Sequence, residues 1–186
     1  LAWNMLLGIA SGQESPARGL HLNVPLPTMG GKQFWTDHRW SGGWRLQQNA
    51  ITGHWRLLDA RDVRRAWGNR EACLAEMAKR QPADGTAAAS RGVVVLLHGL
   101  MRSSDSMAPL AAAFDARGDL SPVTFGYAST QASIDDHAVA LREFVEHLPG
   151  RPRISFVGHS LGNIVVRRTI ALWQQDGDAH QVLPRL

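Results

Sequence analysis

Residues 153–163 read RISFVGHSLGN, and this stretch decides the fold. The run RISFV is typical of a buried strand, and the residues that follow, 161–174, carry apolar side chains at helical spacing. The segment GHSLG between them predicts a tight strand-to-helix turn that exposes the hydroxyl of Ser160. Gly158 and Gly162 would let neighbouring backbone pass close to this turn. Because the helix start also presents the positive end of its dipole there, we interpret Ser160 as a nucleophile.

Upstream of this turn, strand-like and helix-like segments alternate. Residues 92–97, GVVVLL, form a continuous apolar run that predicts a strand buried on both faces of a parallel sheet. The segments between this run and the turn predict a helix at 104–117, a strand at 122–127 and a helix at 133–148. This order predicts parallel βαβ units and an α/β sheet with flanking helices.

The two intervening helices have amphipathic patterns. The helix at 104–117 is predicted to bury one stripe, which consists of Met107, Leu110, Ala111 and Phe114. In the helix at 133–148, Ser133 is the predicted N-cap. We expect His137 and His147 to occupy surface positions of that helix.

The loop after the strand at 92–97 has the composition of an oxyanion-binding loop. A tetrahedral intermediate of acyl transfer needs two backbone N–H donors directed at its oxygen. One expected donor is Leu161, the residue after the nucleophile. The second is expected in this loop, at Leu100 or, as the alternative, at Met101.

Three further residues are expected to support these two segments. Gly99 would let the loop fold tightly. His98 has the chemistry of a catalytic base, but its position predicts a structural role in shaping the loop. His159 is interpreted as the variable residue of the turn.

The segment VVVLLHGL at 93–100, followed about sixty residues later by ISFVGHSLGN, resembles the α/β-hydrolase superfamily. It is most similar to the lipase and lipase-like esterase branch, and the resemblance covers residues 91–174. The resemblance implies a partial α/β-hydrolase fold and hydrolysis of carboxylic esters through an acyl-enzyme on Ser160. It also implies no metal or organic cofactor and a small-molecule or lipid ester as substrate.

The sequence departs from that family in its catalytic acid and base. In the family, an Asp or Glu and then a His follow the nucleophile on later strands, but only 26 residues follow Ser160 here. Asp176, Asp178 and His180 lie among them, directly after the helix, where a triad is not expected. We therefore expect the acid and the base beyond Leu186, and we expect the chain by itself to be inactive and prone to aggregate through an unpaired sheet edge.

Two other functions stay open at this stage. The chain could be a non-catalytic α/β-hydrolase-like domain that binds a lipid or a protein partner through its Trp-rich region. It could also be an acyltransferase or an amidase, because the same turn serves several acyl reactions.

Residues 1–90 lie outside the resemblance and are interpreted as an N-terminal extension, with the front of the hydrolase domain at 91–186. Five of the seven tryptophans lie between Trp35 and Trp67. This region predicts short strands or hairpins at 32–44 and 51–58, a helix at 62–81 and a linker at 82–91. The tryptophans are expected either to cover one edge of the main sheet or to form a substrate-binding rim or lid.

Composition restricts the class of protein. With 44% hydrophobic and 19% charged residues the chain can bury a core. The net charge of +4 comes from arginines that are interleaved with acidic residues along the chain. We therefore expect a solvated basic surface and no nucleic-acid partner. Contact with a lipid interface stays open. Residues 1–12 are interpreted either as the remnant of a secretory signal or as an apolar strand or helix packed on the domain. The first alternative would place the protein outside the cell or in the periplasm; otherwise it is expected to be cytoplasmic.

Overall fold

The computed structural model describes residues 26–27, 31–80 and 92–186. The predicted signal remnant at 1–12 and the predicted linker at 82–91 lie outside these residues. None of the helices in the described part of the chain is long and apolar enough to cross a membrane.

The N-terminal part is a five-stranded antiparallel sheet in the order β1-β5-β4-β3-β2. Its strands are β1 (Leu26–Pro27), β2 (Trp35–Ser41), β3 (Trp44–Asn49), β4 (Trp55–Leu58) and β5 (Val63–Gly68). β2 and β3 form a hairpin, and the turn between them uses Gly42 and Gly43 at φ values of 54° and 86°, which only glycine adopts without strain. Strands therefore occur within both predicted ranges, 32–44 and 51–58, while most of β3 lies between these ranges.

The helix predicted at 62–81 is wrong in its first half. Residues 63–68 form β5, which pairs with β4, and α1 (Arg70–Arg80) begins only after Asn69. The Asn69 side chain accepts a 2.8 Å hydrogen bond from the N–H of Ala72, as an N-cap does. The apolar spacing of Val63, Ala66 and Trp67 fits a helix, but the β-branched Val63 and the aromatic Trp67 favour a strand, and pairing with β4 forms it.

The C-terminal part is a three-stranded parallel sheet in the order β7-β6-β8. It consists of β6 (Gly92–Leu97), α2 (Ala108–Arg117), β7 (Leu120–Phe125), α3 (Ile134–Glu146), β8 (Ile154–Gly158) and α4 (Leu161–Asp176). The expected α/β architecture, with a parallel sheet and flanking helices, is confirmed at this level.

The central strand β6 is buried on both faces, as its sequence predicts. Alternate residues Val93, Val95 and Leu97 join a core that includes side chains from α3 and α4. Val94 and Leu96 point to the opposite side and pack with Met107 and Phe114 near α2. Helices α3 and α4 thus pack on one face of β6, and α2 packs on the other. The carboxyl end of β6 leads directly into the loop that starts at His98.

Two positions in the flanking helices differ from the prediction. Leu110, expected on the buried stripe of α2, is 36% exposed. His137, expected at the surface, is only 1% exposed and packs edge-on against the Tyr127 ring at 4.8 Å between centroids. His137 is buried because α3 packs against both α4 and β2, so this helix buries more than one face. The predicted cap is confirmed, since Ser133 and Asp136 form a capping box.

The two sheets are joined where β2 meets the end of β7. The N–H of Asp37 donates to the carbonyl of Gly126 at 2.8 Å, and the N–H of Gly126 donates back to the Asp37 carboxylate at 2.7 Å. The N–H of Ala128 donates to the Thr36 hydroxyl at 3.1 Å. This junction lies at the carboxyl edge of the parallel sheet, which is the edge that carries Ser160.

Candidate active site

Ser160 occupies the turn between β8 and α4 and is exposed. Its φ of 51° and ψ of −115° are strained for a residue with a Cβ atom. The turn is closed by two hydrogen bonds, from Gly162 N–H to the His159 carbonyl at 2.9 Å and from Asn163 N–H to the Ser160 carbonyl at 3.0 Å. A surface serine held in this conformation presents its hydroxyl beyond the end of the sheet.

The two glycines of the turn are required by close backbone contacts. A Cβ on Gly158 would lie 2.6 Å from the backbone nitrogen of Asn163, and a Cβ on Gly162 would lie 2.9 Å from the Leu97 carbonyl oxygen. Both distances are shorter than real Cβ contacts. Gly158 therefore lets the start of α4 approach the end of β8, and Gly162 lets it approach the end of β6.

The loop after β6 lies directly against this turn. The His159 N–H donates to the Leu97 carbonyl at 2.9 Å. A Cβ on Gly99 would lie 2.6 Å from Nδ1 of His159 and 3.4 Å from the His159 carbonyl oxygen, so this loop packs closely against the His159 side chain. The structure thus brings together the two segments in which the sequence predicts oxyanion donors.

The candidate oxyanion donors differ in whether their N–H groups already donate a hydrogen bond within the protein. The Met101 N–H donates to the Ser129 hydroxyl at 3.1 Å. The N–H groups of Leu100 and Leu161 donate no hydrogen bond to any described residue. Of the two alternatives in the loop, the geometry therefore favours Leu100 over Met101 as the candidate donor.

His98 is held as a neutral, buried support for this loop. It is 1% exposed, its Nδ1–H donates to the Gly99 carbonyl at 2.8 Å, and its Nε2 accepts from the Tyr127 N–H at 3.3 Å. Burial lowers the pKa of His98, which keeps the imidazole uncharged at neutral pH. With both ring nitrogens engaged, His98 has no free nitrogen with which to act as a base on Ser160.

Tyr127 is a supporting residue that the sequence reasoning missed. Its hydroxyl donates to the His98 carbonyl at 2.7 Å, and its ring stacks on the imidazole at 4.3 Å between centroids. Burial raises the pKa of Tyr127 to about 12, so the hydroxyl stays protonated as a donor. The one sequence signal for Tyr127 was its position at the end of a predicted strand.

Asp37 is a second supporting residue that was missed. Besides the Gly126 N–H, its carboxylate accepts hydrogen bonds from Arg45 at 2.9 Å and from Gln47 at 2.7 Å. The Asp37 side chain is 1% exposed. It connects the N-terminal sheet to the segment that carries Tyr127, and no motif in its sequence neighbourhood indicates this contact.

The acids and the histidine after α4 lie far from Ser160. Asp176 binds Arg142 at 2.6 Å, Asp178 accepts from the N–H groups of residues 182 and 183, and His180 lies 3.7 Å from Glu146. Asp176 is the last residue of the 16-residue helix α4 and the other two follow it, whereas Ser160 precedes its first residue; the two ends of the helix are roughly 24 Å apart. The contacts of these three residues are with groups other than Ser160.

Within the described ranges, the Ser160 hydroxyl makes no hydrogen bond to another side chain. In the same residues, no group of three or more His, Cys, Asp and Glu side chains could hold a metal ion. The chemistry that this arrangement can support is attack by Ser160 on a carbonyl carbon, with the oxyanion directed at free backbone N–H groups.

Comparison with known proteins gives one match. The model of the family described as "putative serine esterase (DUF676)" matches residues 89–184, just over half of the chain. No curated protein and no solved structure matches the chain. The matched range contains both the loop at 98–101 and the turn around Ser160.

Proposed function

The chain belongs to the putative serine esterase family (DUF676), and we propose that it cleaves carboxylic esters through an acyl-enzyme on Ser160. The observation that carries this proposal is the backbone of Ser160, which is held at φ 51° and ψ −115° between β8 and α4 and leaves the residue exposed. Strain of this kind persists where the surrounding structure enforces it, and it is concentrated at functional sites.

In the proposed reaction, the Ser160 hydroxyl oxygen attacks the acyl carbon of the ester while its proton passes to a base. The carbonyl oxygen becomes an oxyanion that accepts hydrogen bonds from the N–H groups of Leu100 and Leu161 and faces the positive end of the α4 dipole. The intermediate then collapses, the alcohol leaves with a proton from the base, and water hydrolyses the acyl-enzyme to regenerate Ser160.

The proposal needs a base, and no described side chain is hydrogen-bonded to the Ser160 hydroxyl. His98 is buried with both nitrogens engaged. We propose that a histidine oriented by an acid, outside the described residues, completes the site. Without such a base the serine would be a weak nucleophile, although the oxyanion donors alone would still give some rate enhancement.

The surroundings of Ser160 support an apolar acyl group. Leu100 and Met101, in the loop beside the turn, are 53% and 79% exposed, and Ile164, in the first turn of α4, is 51% exposed. Large exposed apolar side chains on neighbouring segments are typical of a binding surface. We therefore propose a small-molecule or lipid ester as the substrate.

The test is covalent labelling of the full natural protein with a fluorophosphonate probe, followed by mapping of the labelled peptide. We expect label on Ser160 and none in Ser160→Ala. Ser155→Ala is the matched control, because Ser155 is an exposed serine on β8 that does not occupy the turn. Folded protein that takes up no label at Ser160 would refute the proposal and favour a non-catalytic binding domain.

Hydrolysis assays distinguish ester cleavage from the related acyl reactions. We expect turnover of p-nitrophenyl esters and loss of that turnover in Ser160→Ala. Faster cleavage of the matching anilide, or transfer of the acyl group to an added alcohol in preference to water, would instead indicate an amidase or an acyltransferase.

A further inference from the structure

A small cleft lies beside the junction of the two sheets, with a cavity of about 230 Å³. It is bounded by side chains of β3 and β4, by the end of β7, and by α2 and the turn that precedes it. The charged side chains that line it are Lys32, Arg45, Arg56, Asp62 and Asp105. The lining thus carries three cations against two anions.

Arg56 is the cation whose position is most restricted. It is 5% exposed, its guanidinium lies 3.8 Å from the centroid of the Trp35 ring, and its Nε–H donates to Oε1 of Gln47 at 2.8 Å. These contacts hold the guanidinium plane in place. Burial lowers the pKa of Arg56 to about 10, so the group is still charged at neutral pH.

The other two cations of the cleft are neutralised by neighbours. Lys32 contacts Asp62 at 3.1 Å and Asp105 at 3.0 Å. Arg45 contacts Asp37 at 2.9 Å and also donates to the backbone and the hydroxyl of Thr124.

Arg56, in contrast, has no carboxylate of the described residues within 4.0 Å. Its two terminal nitrogens donate to no described residue. The cleft therefore contains one buried, fixed guanidinium fork that no described carboxylate contacts directly, while Asp37 and Asp62 lie close enough to stabilise its charge.

We propose that Arg56 binds a small oxyanion, a phosphate or carboxylate group of a ligand, in this cleft. The two terminal nitrogens of a guanidinium match the spacing of two oxygens of such a group, and a buried charge gains most from a partner that neutralises it. Ser104 supplies a further donor, because it lines the cleft and its hydroxyl has no partner in the described residues. The cavity is smaller than a site for a drug-sized molecule, which suits a small anion or the anionic end of a larger ligand.

This site is separate from the chemistry proposed for Ser160 and does not depend on it. The cleft shares His98, Gly126 and Tyr127 with the support of the loop after β6. An anion bound to Arg56 would therefore lie beside the residues that support this loop. Binding can be measured on protein whose Ser160 has been replaced.

The experiment is calorimetric titration of the protein at neutral pH and low ionic strength, with inorganic phosphate in one arm and acetate in the other. We expect one site to bind at least one of the two anions, and the arm that binds identifies the oxyanion class. Arg56→Gln should weaken binding about 10- to 100-fold, as expected for loss of hydrogen bonds to a charged group. Arg56→Lys keeps the charge but not the fork and should give an intermediate loss.

Arg64→Gln is the matched control, because Arg64 also lies over a tryptophan, Trp67, at 5.0 Å on the neighbouring strand but does not line the cleft. Arg64 lies close enough to repel the Arg56 charge, so its replacement should change the binding constant far less than Arg56→Gln does. If Arg56→Gln does not fold, Ser104→Ala gives the second readout and should weaken binding several-fold. The proposal is overturned if neither anion binds the unmodified chain at millimolar concentration, or if Arg64→Gln reduces binding as much as Arg56→Gln.

Discussion

The hydroxyl of Tyr127 donates a 2.7 Å hydrogen bond to the backbone carbonyl of His98, and both residues are almost completely buried. His98 is the first residue of the loop that carries the proposed oxyanion donor Leu100. The bond therefore links the end of β7 to the backbone that must hold this donor in position.

Tyr127→Phe removes the hydroxyl and leaves the ring in place. We expect the free energy of unfolding to fall by about 1–2 kcal/mol, because the His98 carbonyl loses a buried donor. If the loop positions the oxyanion donors, the rate of fluorophosphonate labelling at Ser160 should fall as well. Thr130→Val is the control, since it removes an exposed hydroxyl from the segment after Tyr127. A Tyr127→Phe variant with unchanged stability and unchanged labelling would show that the bond does not support the loop.

The strain at Ser160 predicts an unusual order of stability between two variants that lack the Ser160 hydroxyl. Ser160→Gly should be more stable than Ser160→Ala by about 1 kcal/mol, because glycine relieves the strain of a φ of 51° while alanine retains it. Elsewhere in a chain, glycine is normally the less stable of the two. Chemical denaturation of both variants measures the difference, and a more stable alanine variant would mean that the turn is not strained.

The Asp37 network predicts a large effect from a change far from Ser160 in the sequence. Asp37→Asn should reduce the free energy of unfolding by about 2–4 kcal/mol, because Arg45 would lose its charged partner and the buried donors would be mismatched. Denaturant midpoints provide the measurement. Asp115→Asn, which changes an exposed carboxylate on α2, should have little effect. Equal midpoints for the two variants would contradict the structural role of Asp37.

The parts of the site that could be predicted from the sequence are those encoded by adjacent residues. The strand, the turn with its two glycines and the helix around Ser160 lie within about twenty residues, and each segment has its own periodicity. The contacts that support the loop and the sheet junction, in contrast, join residues that are far apart in the sequence. Asp37 meets Gly126 across 89 positions of the chain, and this pairing depends on how the antiparallel sheet docks onto β7.

The errors in prediction also have physical causes. Val63, Ala66 and Trp67 have helical spacing, but pairing with β4 makes this segment a strand. His137 lies on a helix that contacts elements on two sides, so a polar residue that would face solvent on a singly packed helix is buried instead. In both cases tertiary contacts outweighed the local pattern.

Burial of His137 predicts that stability depends on pH. Burial lowers the pKa values of His137 and His98 below their usual value in an unfolded chain, so the unfolded state binds more protons just below that value. Their contribution to stability is complete above about pH 6.5 and is lost as the pH falls towards the folded-state pKa values. The free energy of unfolding should therefore be lower at about pH 5.5 than at about pH 7.5.

His137→Leu tests which residue causes this dependence. The Nε2 atom of His137 is buried without a hydrogen-bond partner in the described part of the chain, so its removal should leave the protein at least as stable at neutral pH. The variant should also lose part of the decrease in stability between about pH 7.5 and about pH 5.5, because one of the two buried imidazoles can no longer bind a proton on unfolding. His147→Gln, an exposed change at the end of the same helix, should keep the full decrease. If His137→Leu shows the same pH dependence as the unmodified chain, the buried imidazole of His137 is not its source.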